Sequence, residues 1–146
     1  MRRAIDVPSL LLIEDDPDDI ELTCRALKRA GLGNPIDIAV DGQAALDTLY
    51  CGAMTASAQI GLILLDLGLP KVQGWDVLQR VLQDKRTRHI PVVVLTGSLD
   101  EEDRVRSYKA GAAAFLRKPI RVDDLIRLVG EIHGYQLLVT RLESMN

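Results

Sequence analysis

The chain has 146 residues and carries 18 Lys and Arg against 21 Asp and Glu, a formal charge of −3. With 47% hydrophobic and 27% charged residues, it has the composition of one globular domain with a real core, which excludes disordered and collagen-like chains. Near-balanced charge excludes a general basic field for nucleic acid, and three Tyr, one Trp and one Phe are too few for base-stacking platforms. The balance hides a local excess, because residues 14–21 read Glu-Asp-Asp-Pro-Asp-Asp-Ile-Glu, six acids in eight positions with no base.

Five short apolar runs recur along the chain, at 10–13, 36–40, 62–65, 92–95 and 113–116. Each is too short for a helix, and three are nearly continuous Leu, Ile and Val, as parallel strands buried on both faces require. After the first run, Pro17 sits at the opening turn of a helix. Its stripe Ile20, Cys24, Leu27 and Ala30 is ended by Gly31. Ala44, Ala45, Leu46 and Leu49 mark a second helix after Asp41-Gly42, and Trp75, Leu78, Val81 and Leu82 a third. Ser98 and Glu101 have the spacing of a capping box for a fourth helix around Val105 and Tyr108. Leu125, Leu128, Val129 and Ile132 form the fifth stripe.

Five strand–helix repeats predict an α/β fold, a doubly wound five-stranded parallel sheet between two helical layers. Ligands of such sheets bind beyond the carboxyl ends of the strands. Residues 1–8 read as a leader, 9–133 as one domain and 134–146 as a C-terminal extension. Residues 51–61 form a longer small-residue loop before the third strand. Cys24 and Cys51 lack metal or redox spacing and read as reduced thiols. His89 and His133 are isolated and read as no metal site. The run Lys85-Arg86-Thr87-Arg88-His89 reads as a solvated connection without a nucleic-acid reading motif. Neither a signal peptide nor an apolar run of about 18 residues is present, so a soluble cytoplasmic protein is expected.

The polar residues that end the strands carry the chemistry. Glu14 and Asp15 follow the first strand, Asp66 ends the third, Thr96 the fourth, and Lys118 the fifth. Parallel strands bring all five to one rim. Converging carboxylates must be neutralised, protonated or splayed apart, and an all-oxygen set with room for water and phosphate suits Mg2+. A carboxylate can also act as a nucleophile and form an acyl phosphate. That chemistry needs a metal against the phosphoryl oxygens, a second cation and a small hydroxyl. Asp66, the Glu14/Asp15 pair, Lys118 and Thr96 supply these parts. Asp16 borders the cluster, and Asp18 and Asp19 supply negative charge to the first helix's N-terminus.

Four motifs then carry a family resemblance: Leu-Leu-Ile-Glu-Asp-Asp (11–16), Leu-Ile-Leu-Leu-Asp-Leu-Gly-Leu-Pro (62–70) with Gly74, Pro-Val-Val-Val-Leu-Thr-Gly (91–97) and Lys118-Pro119. Over roughly residues 9–133 the chain resembles the receiver domain of two-component response regulators, the CheY-like family. The resemblance implies the strand order 2-1-3-4-5 of the flavodoxin-like fold. It implies Asp66 as the acceptor of phosphate from a histidine kinase, Asp15 as a direct Mg2+ ligand and Glu14 as a ligand through water. The Gly68 carbonyl is a further implied ligand. Lys118 and Thr96 are expected to contact the phosphoryl group, Phe115 to be the aromatic switch residue, and the Lys118–Pro119 peptide to be cis. Phosphorylation then reshapes the face of the fourth helix, fifth strand and fifth helix. The protein is in this reading a signalling switch rather than a turnover enzyme, assisting its own phosphotransfer and dephosphorylation.

The loop before the third strand, the Leu-Asp-Leu-Gly-Leu-Pro segment and the Glu-Ile-His-Gly-Tyr tail (131–135) resemble single-domain regulators paired with phytochrome-type histidine kinases. The expected partners are such a kinase and a second copy of the chain, held through the switch face or the apolar tail residues Tyr135, Leu137, Leu138, Val139 and Leu142. Nucleic acid and membrane are not expected partners. With the chain ending soon after the fifth helix, output is expected through protein contact or phosphate relay. Two alternatives stay open: a receiver-like scaffold independent of phosphorylation, and an aspartyl-phosphate phosphatase of haloacid-dehalogenase type. The phosphatase normally has a second acid where Gly68 stands. An FMN-binding flavodoxin is disfavoured, because acids occupy its phosphate loop.

Overall fold

A computed structural model describes residues 8–51, 59–68, 74–97 and 111–131. Five strands, β1 (Ser9–Ile13), β2 (Ile36–Ala39), β3 (Ile60–Asp66), β4 (Val92–Thr96) and β5 (Ala114–Arg117), form one sheet in the order β2-β1-β3-β4-β5. Every adjacent pair is parallel. The helices are α1 (Pro17–Arg29), α2 (Gly42–Leu46), α3 (Gly74–Gln83) and α4 (Val122–Glu131), the last being the fifth predicted stripe. The predicted fourth helix and the tail after Gly134 lie outside the described residues.

Alternation along the central strands sends side chains into two separate cores. Leu10, Leu12, Leu62, Leu64, Val93 and Leu95 pack with Leu27 of α1 and Leu125 of α4. On the opposite face, Leu11, Ile13, Ile63, Leu65 and Val94 pack with Leu49, Val77, Leu78 and Val81. The near-continuous Leu, Ile and Val of β1, β3 and β4 thus follow from burial on both faces.

Local chemistry sets the helix boundaries. Asp16 caps α1, its carboxylate accepting from the Asp18 amide at 2.8 Å and the Asp19 amide at 3.4 Å. Gly31 follows the helix end with φ +91°. The expected stripe of α1 faces the core, with Leu27 and Ala30 buried and Ile20 and Cys24 half-buried against it, and Thr23 and Ala26 are buried beside it. Asp41 caps α2 by accepting from the Ala44 amide at 2.7 Å. The expected second helix then changes character, continuing as a π-helical turn over Asp47–Cys51.

That turn leads to a contact the charge pattern does not reveal. Tyr50 reaches the 85–89 connection, where its hydroxyl lies 2.7 Å from Thr87 Oγ1. Thr87 is fully buried and donates to the Val81 carbonyl at 2.7 Å. Arg80 and Arg86 place their guanidinium carbons 4.8 Å and 4.7 Å from the Tyr50 ring centre. The connection is therefore not wholly solvated, since its central threonine bolts α3 to the turn after α2. Trp75, half-buried, packs against the same core.

Gly74 begins α3 in close contact with the end of β3. A Cβ there would lie 2.7 Å from Leu67 Cα and 2.8 Å from the Asp66 carbonyl oxygen, both backbone atoms. Gly74→Ala is therefore expected to destabilise the fold by about 1–3 kcal/mol, the usual cost of overpacking, read as a lower denaturant midpoint. Thr87→Val removes the buried hydroxyl that satisfies Val81, and a loss of about 1–3 kcal/mol is expected by the same measurement. An unchanged midpoint would show for Gly74→Ala that the neighbouring backbone gives way without cost, and for Thr87→Val that the hydroxyl adds no net stability.

Candidate functional site

The parallel topology delivers Glu14, Asp15, Asp66, Thr96 and Lys118 to the carboxyl end of the sheet. Glu14 follows β1, its amide donating to the Ala39 carbonyl at 2.9 Å. Its side chain is fully buried, whereas Asp15 is exposed. Asp66 closes β3 at 7% exposure, and its Oδ1 accepts from the Gly68 amide at 3.0 Å. This bond two residues along is the Asx turn available to an aspartate at a strand end. Thr96, also buried, ends β4. The Lys118 amide donates to the Thr96 carbonyl at 2.7 Å, tying the two strand ends together. The Lys118–Pro119 peptide is cis.

One carboxylate oxygen each from Glu14, Asp15 and Asp66 lie within 4.8 Å of one another. Lys118 Nζ is 2.7 Å from Glu14 Oε1, 3.0 Å from Asp19 Oδ2 and 3.2 Å from Asp66 Oδ2. The ammonium thus places a positive charge among three carboxylates, one of them fully buried. Burial pushes the Glu14 carboxyl up to about 7 against the pull of Lys118, and the neighbouring Asp66 adds to the rise. Burial acts to lower the Lys118 value, but Glu14, Asp19 and Asp66 outweigh it and hold the ammonium protonated beyond the ordinary lysine range.

The two oxygens of Glu14 differ in their partners. Oε2 accepts from the Asp16 amide at 3.3 Å. Oε1 is buried without a directed hydrogen bond, its near neighbour being the ion-paired ammonium. An oxygen so placed, in a group of three carboxylates without sulfur or imidazole, fits a hard divalent cation. Glu14, Asp15 and Asp66 are the residues able to hold it.

Phe115 is half-buried and packs against the core that contains Val92 and Val94. It pairs in register with Val94, and Thr96, two residues beyond Val94, shares that sheet face. Asp19 is the contact that sequence reasoning missed. Its acidic helix-start position indicates a role toward the helix dipole, yet its carboxylate also accepts a directed hydrogen bond from Lys118. The available signal is its place at the third position of α1, a helix that itself starts at the rim.

The response regulator receiver domain model matches residues 10–130. FilR2 of Methanothrix harundinacea, described as a probable methanogenesis regulatory protein, is 41% identical over 128 residues, 88% of this chain and 83% of that one. Response regulator Rcp1 of Synechocystis is 37% identical over 136 residues, 92% of each chain. The Mn2+-bound crystal structure of Rcp1 superposes with a TM-score of 0.70 at 35% identity, over 89% of this chain and 94% of that one. The bacteriophytochrome response regulator AtBRR superposes with a TM-score of 0.76 at 40% identity, over 88% and 94% of the two chains. Receiver domains bind a divalent metal and pair with histidine kinases as signalling switches. Sequence motifs, strand order and rim chemistry agree with these likenesses, and the chain belongs to the response regulator receiver domain family.

Proposed function

We propose that this chain is the phosphoaccepting switch of a histidine-to-aspartate phosphorelay, with Asp66 as acceptor, Mg2+ as cation and a phytochrome-type histidine kinase as donor. The observation that carries this reading is the meeting of Glu14, Asp15 and Asp66 within one cation-sized group, with Lys118 beside Asp66. The likeness to regulators whose names mention bacteriophytochrome supports the kinase class. Among the described residues no helix is long and apolar enough to cross a membrane.

In this mechanism Asp66 Oδ2 forms a bond to phosphorus while the phosphorus–nitrogen bond of the kinase's phosphohistidine breaks, and the imidazole leaves with the electron pair. Oδ1 meanwhile stays on the Gly68 amide. Glu14, Asp15, Asp66 and the Gly68 carbonyl are the groups that would hold Mg2+, which when bound offsets charge on the phosphoryl oxygens. Lys118 supplies a second positive charge beside Asp66, and the Thr96 hydroxyl receives a phosphoryl oxygen. Hydrolysis of the acyl phosphate at the same site resets the switch.

The acyl phosphate adds a charge of roughly −1.5 to −2 at the rim. Movement of Thr96 toward it vacates space on the sheet face shared with Phe115, and rotation of the aromatic ring into that space alters the surface around β5 and α4. The result is a shift between two conformations of one fold. Partner binding, or pairing of two chains through that surface or through residues 134–146, reads out the shift.

Asp66→Asn is expected to abolish phosphoryl labelling from a histidine kinase or acetyl phosphate, and chelation of divalent cations to do the same to the wild-type chain. Labelling of the variant at the wild-type level would remove Asp66 from the acceptor role and favour the scaffold reading. Asp15→Asn is expected to weaken Mg2+ binding by about tenfold or more, measured by titration. An unchanged dissociation constant would take Asp15 out of the metal set.

A further inference from the structure

The acceptor and metal reading leaves Asp19 without a part, although Lys118 holds it by a directed hydrogen bond. An ammonium has three N–H donors, and three carboxylates lie within 3.2 Å of Lys118 Nζ. Two of these, Glu14 and Asp66, also belong to the cation-sized group, whereas Asp19 does not. A divalent cation and the ammonium therefore compete for Glu14 and Asp66, and they also repel each other at short range. Asp19 is the partner that a cation in that group leaves to Lys118.

Its position suits the part. The Asp16 cap fixes the first turn of α1, which carries the Asp19 carboxylate to within 3.0 Å of Lys118 Nζ. The Asp19 side chain is 31% exposed against 0% for Glu14. An ammonium drawn toward Asp19 moves away from the buried carboxylate yet stays at the rim.

We propose that Asp19 is a positioning residue for Lys118, holding its ammonium at the rim and drawing it off Glu14 and Asp66 when a divalent cation claims those carboxylates. The inference rests on the metal reading above and adds to it a route by which the site exchanges one counter-ion for another. Without Asp19, the ammonium falls back on the two carboxylates and opposes the metal. Asp19 thus raises metal affinity through Lys118, apart from the attraction of its own charge.

Mn2+ titration of the full chain, with free Mn2+ counted by electron paramagnetic resonance, tests this in four forms: wild type, Asp19→Asn, Lys118→Gln and the double variant. Asp19→Asn is expected to raise the Mn2+ dissociation constant by about fivefold or more in the wild-type background and by less than about twofold in the Lys118→Gln background. A purely electrostatic role for Asp19 predicts equal losses in both backgrounds, and that result overturns the inference, as does no loss in either. A wild-type chain without Mn2+ affinity removes the metal reading itself and this inference with it. Wild-type binding with an uncoupled Asp19 removes this inference alone.

Discussion

The carboxyl rim of this sheet is held together by one ammonium shared among three acids. Glu14 has no access to water, Asp66 very little, and Lys118 lies within ion-pair distance of both. Without a positive charge among them, ionised carboxylates so close together would repel and resist burial. The topology answers this by returning the chain to the rim after β5, where the bond from the Lys118 amide to the Thr96 carbonyl fixes the start of the lysine. A long side chain is needed, because β5 is separated from β3 by a whole strand. Lysine presents three rotatable donors on a flexible stem, where the planar fork of arginine would favour one bidentate partner.

Most of the architecture is legible in the sequence because burial on two faces leaves little choice of residue. Leu10 to Ile13 and Val92 to Leu95 can be nothing but apolar, and their brevity excludes helices. The polar residues after them stand out for the same reason, so Glu14, Asp15, Asp66, Thr96 and Lys118 are readable as a group once the strands are parallel. β3 begins earlier than its apolar run, because Ile60 pairs with Ser9 across a register shift that no local pattern announces.

The missed features all depend on where a side chain is carried by packing. Thr87 is hidden in a run of charges, but the turn after α3 points it inward and Tyr50 meets it from 37 residues away. Asp18 and Asp19 are neighbours of the same type at one helix start, yet only Asp19 has a directed bond to Lys118 among the described contacts. Sequence spacing cannot separate two such acids, since the difference lies in a helix direction set by the core beneath. The same core takes Thr23 of α1 inward beside the hydrophobic stripe, a place that its residue type does not announce.

The amide of Gly68 breaks the symmetry of the Asp66 carboxylate. A free carboxylate exchanges its two oxygens by turning about the bond to Cβ. Here Oδ1 is committed to the backbone at 3.0 Å, while Oδ2 is turned toward Lys118 at 3.2 Å. Exchange requires both contacts to break, so the strand end presents a single directed oxygen rather than a rotating pair.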